Sequence, residues 1–207
     1  MSTAAIQTPG FANPVDDAQR VFRAVLEALA RPTLAQPVEP AVLPPAPLGP
    51  TAGAVVLTLC DEHTPVWLDP ALRRAGDVET WVRFHTGARI VDDPADALFC
   101  VASSASAAPA LDVLRQGTDE EPHLSATVII DATDARPTGA LLATGPGVNG
   151  EVAWDGAGLP GSRPEGPRFL DAWAANNRRF PRGVDLILAG DGEVRGIPRT
   201  TALKEKA

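Results

Sequence analysis

The chain has 207 residues, with 18 Lys and Arg against 26 Asp and Glu, a net charge of −8 and a pI near 4.8. That balance argues against a general nucleic-acid binder, which needs a basic footprint for the phosphate backbone. The length suits a single domain, residues 1–207, with a core large enough to need neither disulfide nor metal staple. The charge is uneven: residues 1–159 hold nine basic and twenty acidic side chains (−11), and residues 160–207 hold nine and six (+3). Such a basic end can face an anionic ligand or an acidic partner, or be an ordinary solvated surface.

The opening MSTAAIQTPGFANP has no basic region and no apolar run of signal length. No later run approaches the roughly 20 apolar residues of a membrane span, so a cytoplasmic location is expected. NPVDDAQRVFRAVLEALARP then predicts a helix. Asn13 can cap it, Pro14 suits the first turn, Asp16 and Asp17 favour the positive dipole end, and Pro32 stops it. Val15, Ala18, Phe22, Val25, Leu26 and Leu29 recur at helical spacing as its expected core face, and the charged face can meet solvent or a partner.

Residues 32–50 contain seven prolines and read as an extended connector or arm. TAGAVVLTLC repeats apolar residues at helical spacing, DEHTP breaks it, and VWL reads as a short buried strand. GDVETWVRFHTGA is read as a helix capped by Asp77 and ended by Gly87; alternation of Val82 and Phe84 with Arg83 and His85 would instead make it a strand. ALFCVA is expected as a strand, PALDVLRQG as a short helix, SATVIIDAT and GALLAT as strands, and GPGVNG and GAGLPGSRPEGP as loops. GPRFLDAWAANNRRF is helical in pattern, and VDLILA, GDG and EVRGIP make a terminal hairpin. The sum is a three-layer α/β/α sandwich with a mixed sheet.

Motifs for chemistry are sparse. TGPGVNG is not followed by a helix and lacks GK[ST], so it reads as a turn rather than a phosphate loop. His63, His85 and His123 lie in separate segments without metal-ligand spacing, and Asp61, Glu62 and His63 suit a turn before Pro65. Cys60 and Cys100, forty residues apart, read as buried thiols, and there is no GxSxG. Tyrosine is absent, and Lys204 and Lys206 are the only lysines, in a polar tail; a pyridoxal-phosphate enzyme needs its lysine fixed in the pocket. Two polar groups remain. Arg83, His85 and Thr86 in WVRFHTGARI can grip an anion, move a proton, or simply meet the open carbonyls of a helix end. Arg199, Thr200 and Thr201 in RGIPRTT, directly after a strand, can bind phosphate or phosphonate, or fasten the C-terminal segment to its neighbour.

VDDAQRVFRAVLEALARP, LTLCDEHTPVWL, RFHTGA, SATVII, GPGV, FPRGVDLIL and IPRTT, in that order over some 185 residues, resemble the PhnH family of the bacterial carbon–phosphorus lyase core complex. Thr33 stands where the family usually has Gly. The resemblance implies an α/β/α fold similar to a reduced pyridoxal-phosphate transferase domain without that cofactor, and no other cofactor. It implies a homodimer joined to PhnG, PhnI and PhnJ in a symmetric complex. The family's pathway replaces the adenine of ATP by a phosphonate, giving a ribose 1-phosphonate 5-triphosphate; PhnH-like chains serve as accessory subunits of that transferase, with no catalytic residue of their own expected here. On this reading Arg83, His85, Arg199 and Thr200 organise a subunit surface or contact an anion such as ATP or a phosphonate. The rival readings are a stand-alone enzyme or sensor of a phosphorylated small molecule, and a purely structural homodimer.

Overall fold

The computed structural model describes residues 9–161 and 167–206. A seven-stranded mixed sheet organises them. Its strands are β1 (Gln36–Pro37), β2 (Val66–Leu68), β3 (Ile90–Val91), β4 (Phe99–Ala102), β5 (Thr127–Asp131), β8 (Asp185–Gly190) and β9 (Glu193–Ile197), in the order β1-β9-β8-β5-β4-β2-β3. β3, β2, β4, β5 and β8 run parallel; β9 returns antiparallel to β8, and β1 is antiparallel to β9. A separate three-stranded sheet, in the order β10-β6-β7, joins β6 (Leu141–Thr144), β7 (Val152–Trp154) and β10 (Ala202–Glu205). The fold is α/β with a mixed sheet, as the pattern of elements predicts.

The alternation of the strands divides the core in two. Val66, Leu68, Val101, Ile129, Ile187 and Val194 point to one face. There they meet α1 (Pro14–Ala30), α2 (Pro50–Leu59) and α4 (Asp77–Thr86), with the short α3 (Pro70–Ala75) leading into α4. Trp67, Cys100, Val128, Ile130, Leu186, Leu188 and Ile197 point to the other face, toward α5 (Phe169–Asn177) and the small sheet. The strands in the middle of the sheet are therefore buried on both sides and read as continuous apolar runs.

Several expectations change in detail. On α1 the buried face is Val21, Val25 and Ala28 with Asp17, whereas Val15, Phe22 and Leu26 are exposed. Asn13 holds the N-cap position without a side-chain cap bond; Asp17 reaches back instead, accepting from the Asn13 N–H at 2.8 Å and pairing with Arg20. The proline-rich segment is no free arm. Val38, Val42 and Leu48 are buried in the core, Pro44 lies against Gly53 of α2, and the segment supplies β1, an edge position where Pro37 is tolerated. PALDVLRQG forms only a 3-10 turn, Leu111–Val113. The polar tail forms a strand, β10, paired with β6, and Lys204 sits within it in an ion pair to Glu151 of 2.6 Å. The loop expected over GAGLPGSRPEGP lies partly outside the described residues. α3 and β3 have no counterpart in the sequence reading; α3 begins at Asp69-Pro70, where the fully buried Asp69 accepts from Leu72 N–H at 3.1 Å and from Ser103 N–H.

Both cysteines are buried thiols. Cys60 ends α2, and burial, aided by the neighbouring Asp61 charge, pushes its thiol far up; burial pushes Cys100 up to about 12. An unfolded thiol ionises near 8.5. Above that pH the unfolded chain loses protons that the folded chain keeps, so stability falls as pH rises from about 9 and is unaffected by these groups below about 8. Denaturant melts across pH 7 to 10.5 should show this slope, and Cys60→Ala with Cys100→Ala should flatten it. The native thiols should likewise resist iodoacetamide until the chain is unfolded.

Candidate functional site

α4 is a helix, and its end explains much of the Arg83–His85 group. Gly87 takes the left-handed conformation (φ 71°) and donates to the Arg83 carbonyl at 2.9 Å, while Thr86 Oγ1 donates back to Val82 O at 2.7 Å and accepts from Ala88 N–H. Arg83 is half exposed and pairs with Glu79 one turn earlier at 2.9 Å. His85 packs edge-on between the buried Trp81 and the exposed Phe84, with ring centroids 5.1 and 5.0 Å away. The chain at Gly10 passes so close that a Cβ there would lie 2.8 Å from His85 Nδ1. His85 is thus a packed ring at the base of a solvent-facing arginine and phenylalanine.

Arg199 lies elsewhere, beyond the end of β9 and beside the starts of β5 and β8. All five of its guanidinium N–H donors are committed within the chain. Nε donates to Asp185 Oδ1 at 3.1 Å and Nη2 to Asp185 Oδ2 at 2.5 Å, a two-pronged carboxylate contact. Nη1 donates to the carbonyls of Pro122 (3.0 Å) and Pro181 (3.1 Å), and Nη2 also to Ser125 Oγ. Only 12% of the Arg199 side chain and 20% of the Asp185 side chain are exposed. The backbone N–H of Arg199 donates to Asp185 Oδ1 at 2.6 Å.

The rest of IPRTT is held the same way. Asn177 Nδ2 donates to the carbonyls of Arg199 (2.5 Å) and Thr201 (3.0 Å), and the buried Trp173 indole donates to Thr201 O at 2.7 Å. The Thr200 carbonyl abuts Gly145, where a Cβ would come within 2.6 Å of it. Gly147 of the same GPG turn faces the last carbonyl of α1 at Ala30. GPGV is therefore a spacer between α1 and the IPRTT turn, and it leads into β7 rather than a helix.

The four residues singled out from sequence do not form one cluster. None of the groups hydrogen-bonded by Arg199 lies on α2, α3 or α4. Two clefts, of about 270 and 350 Å³, lie beside α5 and meet at Pro160, Gly161 and Phe169; neither is lined by Arg83, His85, Arg199 or Thr200. Among the described residues no three His, Cys, Asp or Glu side chains gather as a metal site. His63 sits in a turn in which its N–H donates to Asp61 Oδ1 at 2.9 Å.

Sequence reading missed Asp185, Ser125 and Asn177 as partners of Arg199. Asp185 was within reach of it: counting back from the turn at Asp191-Gly192 pairs Leu186 with Ile197 and sets Asp185 beside the residues that follow β9. Ser125, 74 positions from Arg199, has no local signal.

The family model described as "Bacterial phosphonate metabolism protein (PhnH)" matches residues 9–204. The chain is 40% identical over 201 residues, 97% of each sequence, to the alpha-D-ribose 1-methylphosphonate 5-triphosphate synthase subunit PhnH of Rhizobium meliloti (strain 1021). It is 35% identical over 92 residues, 44% of each, to the putative C-P lyase subunit protein HtxG of Stutzerimonas stutzeri.

Proposed function

The chain belongs to the PhnH family, and from that premise we propose that it is an accessory, non-catalytic subunit of the carbon–phosphorus lyase pathway. It supports formation of a ribose 1-phosphonate 5-triphosphate from ATP and a phosphonate, as one component of the transferase assembly. The observation that carries this reading is the use made of the strongest anion-binding candidate. Arg199, the fork donor that would clamp a phosphate, spends every donor on Asp185, Ser125 and two carbonyls. The chain is built to hold a shape.

On the finer level, the chain is one domain, 1–207, functions in the cytoplasm, pairs with itself and joins PhnG, PhnI and PhnJ type subunits. Its sheet, with helices α1, α2 and α4 over one face, suits a reduced transferase domain that carries no pyridoxal phosphate. Arg83 and His85 lie at a partner-facing helix end, whereas Arg199 and Thr200 fix the turn beneath another part of the surface and act on contacts only through its shape.

The test is native mass and capture. The tagged chain alone should show no turnover of ATP with a phosphonate and no saturable binding of either; with PhnG, PhnI and PhnJ type partners it should enter a particle of fixed stoichiometry. Arg83→Ala should weaken capture at least tenfold. The Arg83–Glu79 pair joins an exposed Arg83 to a half-buried Glu79 and is worth only about 0.2–0.5 kcal/mol, so losing it leaves the melting temperature almost unmoved. A chain that stays out of any such particle and binds ATP saturably on its own is instead a stand-alone enzyme or sensor.

A further inference from the structure

The chain has four asparagines, and three of them are held or blocked. Asn13 is followed by Pro14, which has no backbone N–H, and its carboxamide donates to Asp16 Oδ2 at 2.6 Å. Asn176 is buried, donating through Nδ2 to Val184 O at 2.9 Å and accepting at Oδ1 from Val184 N–H at 2.8 Å. Asn177 donates through Nδ2 to the carbonyls of Arg199 and Thr201. Asn149, in the turn between β6 and β7, is exposed, and its carboxamide bonds to nothing among the described residues.

Gly150 comes next. It is exposed, its N–H donates to no described group, and a Cβ placed on it would meet nothing within 4 Å. With no side chain to hinder approach and a backbone free to rotate, this turn can bring the Gly150 nitrogen onto the Asn149 side chain. The chain's two Asp-Gly pairs lack that freedom. Gly192 N–H donates to Thr51 Oγ1 at 3.1 Å at the tip of the β8–β9 hairpin. Asp155 Oδ1 accepts from Ala157 N–H at 3.0 Å, and Gly156 sits so close to Thr138 that a Cβ would collide with its Oγ1. A carboxylate is besides a poorer electrophile than a carboxamide.

We propose that Asn149 is a site of spontaneous covalent modification, at which the folded chain loses the side-chain amide to attack by Gly150. The Gly150 nitrogen gives up its proton and attacks Asn149 Cγ. The new N–Cγ bond closes a succinimide ring, the Cγ–Nδ2 bond breaks, and the amino group takes up the proton and leaves as ammonia. One water then opens the ring. Its hydroxyl adding at Cγ gives aspartate; adding at the main-chain carbonyl gives isoaspartate, whose backbone runs through the side chain and is one carbon longer. Nothing is oxidised or reduced. Either product sets a carboxylate two residues from Glu151, the partner of Lys204 on β10, and takes the net charge from −8 to −9. Isoaspartate also lengthens the chain directly after the GPG turn that spaces α1 from IPRTT.

The full chain, incubated at about pH 7 and at about pH 8 and followed by peptide mapping with mass spectrometry, should convert at position 149 about tenfold faster at the higher pH, because only the deprotonated nitrogen attacks. The product should contain isoaspartate, which direct hydrolysis of the amide cannot give. Conversion at 149 should run at a comparable rate in the folded and the urea-unfolded chain, whereas Asn176 and Asn177 should react only after unfolding. Asn149→Gln, with native circular dichroism, should abolish the more acidic species that grows in on ion exchange. A folded chain in which Asn149 stays intact while the unfolded chain loses it would overturn the proposal. So would a product of aspartate alone, or an acidic species that grows in unchanged in Asn149→Gln.

Discussion

Arg199→Ala is expected to cost about 3–5 kcal/mol of stability, the loss typical when one partner of a buried ion pair is removed. The reason is what stays behind. Asp185 would keep a mostly buried carboxylate without its cation, and Ser125 and the carbonyls of Pro122 and Pro181 would lose their donor. In a chain of this size each kcal/mol moves the melting temperature by about 2–4 °C, so a fall of roughly 6–20 °C should appear in a thermal melt. Arg199→Lys should be intermediate, since a lysine keeps the charge but cannot reproduce the planar fork. A drop of less than about 1 kcal/mol for the alanine variant would mean that Arg199 is not the internal fastener described. Any loss of complex activity in this variant should be accompanied by lost stability, unlike the loss expected at Arg83.

Thr33→Gly should act in the opposite direction and stabilise the fold by about 1 kcal/mol. Thr33 follows α1 with φ at 68°, a left-handed conformation that costs an ordinary L-residue roughly 1–2 kcal/mol and that is a genuine outlier for a β-branched one. It is 2% exposed, and its hydroxyl has no hydrogen-bond partner among the described residues. The position is fixed from outside: its N–H donates to Gly196 O at 3.1 Å, and its carbonyl accepts from Arg195 Nη1 at 3.1 Å. Glycine relieves both the strain and the buried hydroxyl, against an added unfolded-chain entropy of about 0.5–1 kcal/mol. Thr33→Ala removes the hydroxyl but keeps a Cβ at positive φ, so it should gain less. Melts of the three proteins side by side decide the matter; a glycine variant no more stable than the alanine one would locate the defect in the hydroxyl rather than the backbone.

That Thr33 occupies a glycine's place follows from the family resemblance in the sequence; that the place is left-handed follows only from the hydrogen bonds to β9. For Arg199 the sequence offers a donor after a strand and two uses for it, binding an anion or fastening the C-terminal segment. The choice is made by Ser125 and Pro122, whose chain positions say nothing of their nearness.

Local periodicity by itself determined α1, α2 and α5, the buried strands β2, β4, β5 and β8, and the β8–β9 hairpin, because each buries an apolar face at its own period; over α4 it allowed a strand as well as the helix that forms. Caps and breakers fixed several ends: Pro14 and Pro32 at α1, and Gly87 at α4. The ordered motifs from VDDAQRVFRAVLEALARP to IPRTT were enough for the family. Only the tertiary structure decided the rest. The short β3 and β10 are strands because β2 and β6 offer their edges, not because of any pattern in two to four residues. PALDVLRQG stays a turn where its local pattern suggested helix. The outer stripe of α1 looks like core in the sequence, since spacing gives the width of an apolar face but not how much of it a neighbour covers. Likewise, residue type makes Arg199 a possible ligand clamp, but only the groups that reach its five donors make it a fastener: the chemistry of a side chain is local, and the identity of its partners is not.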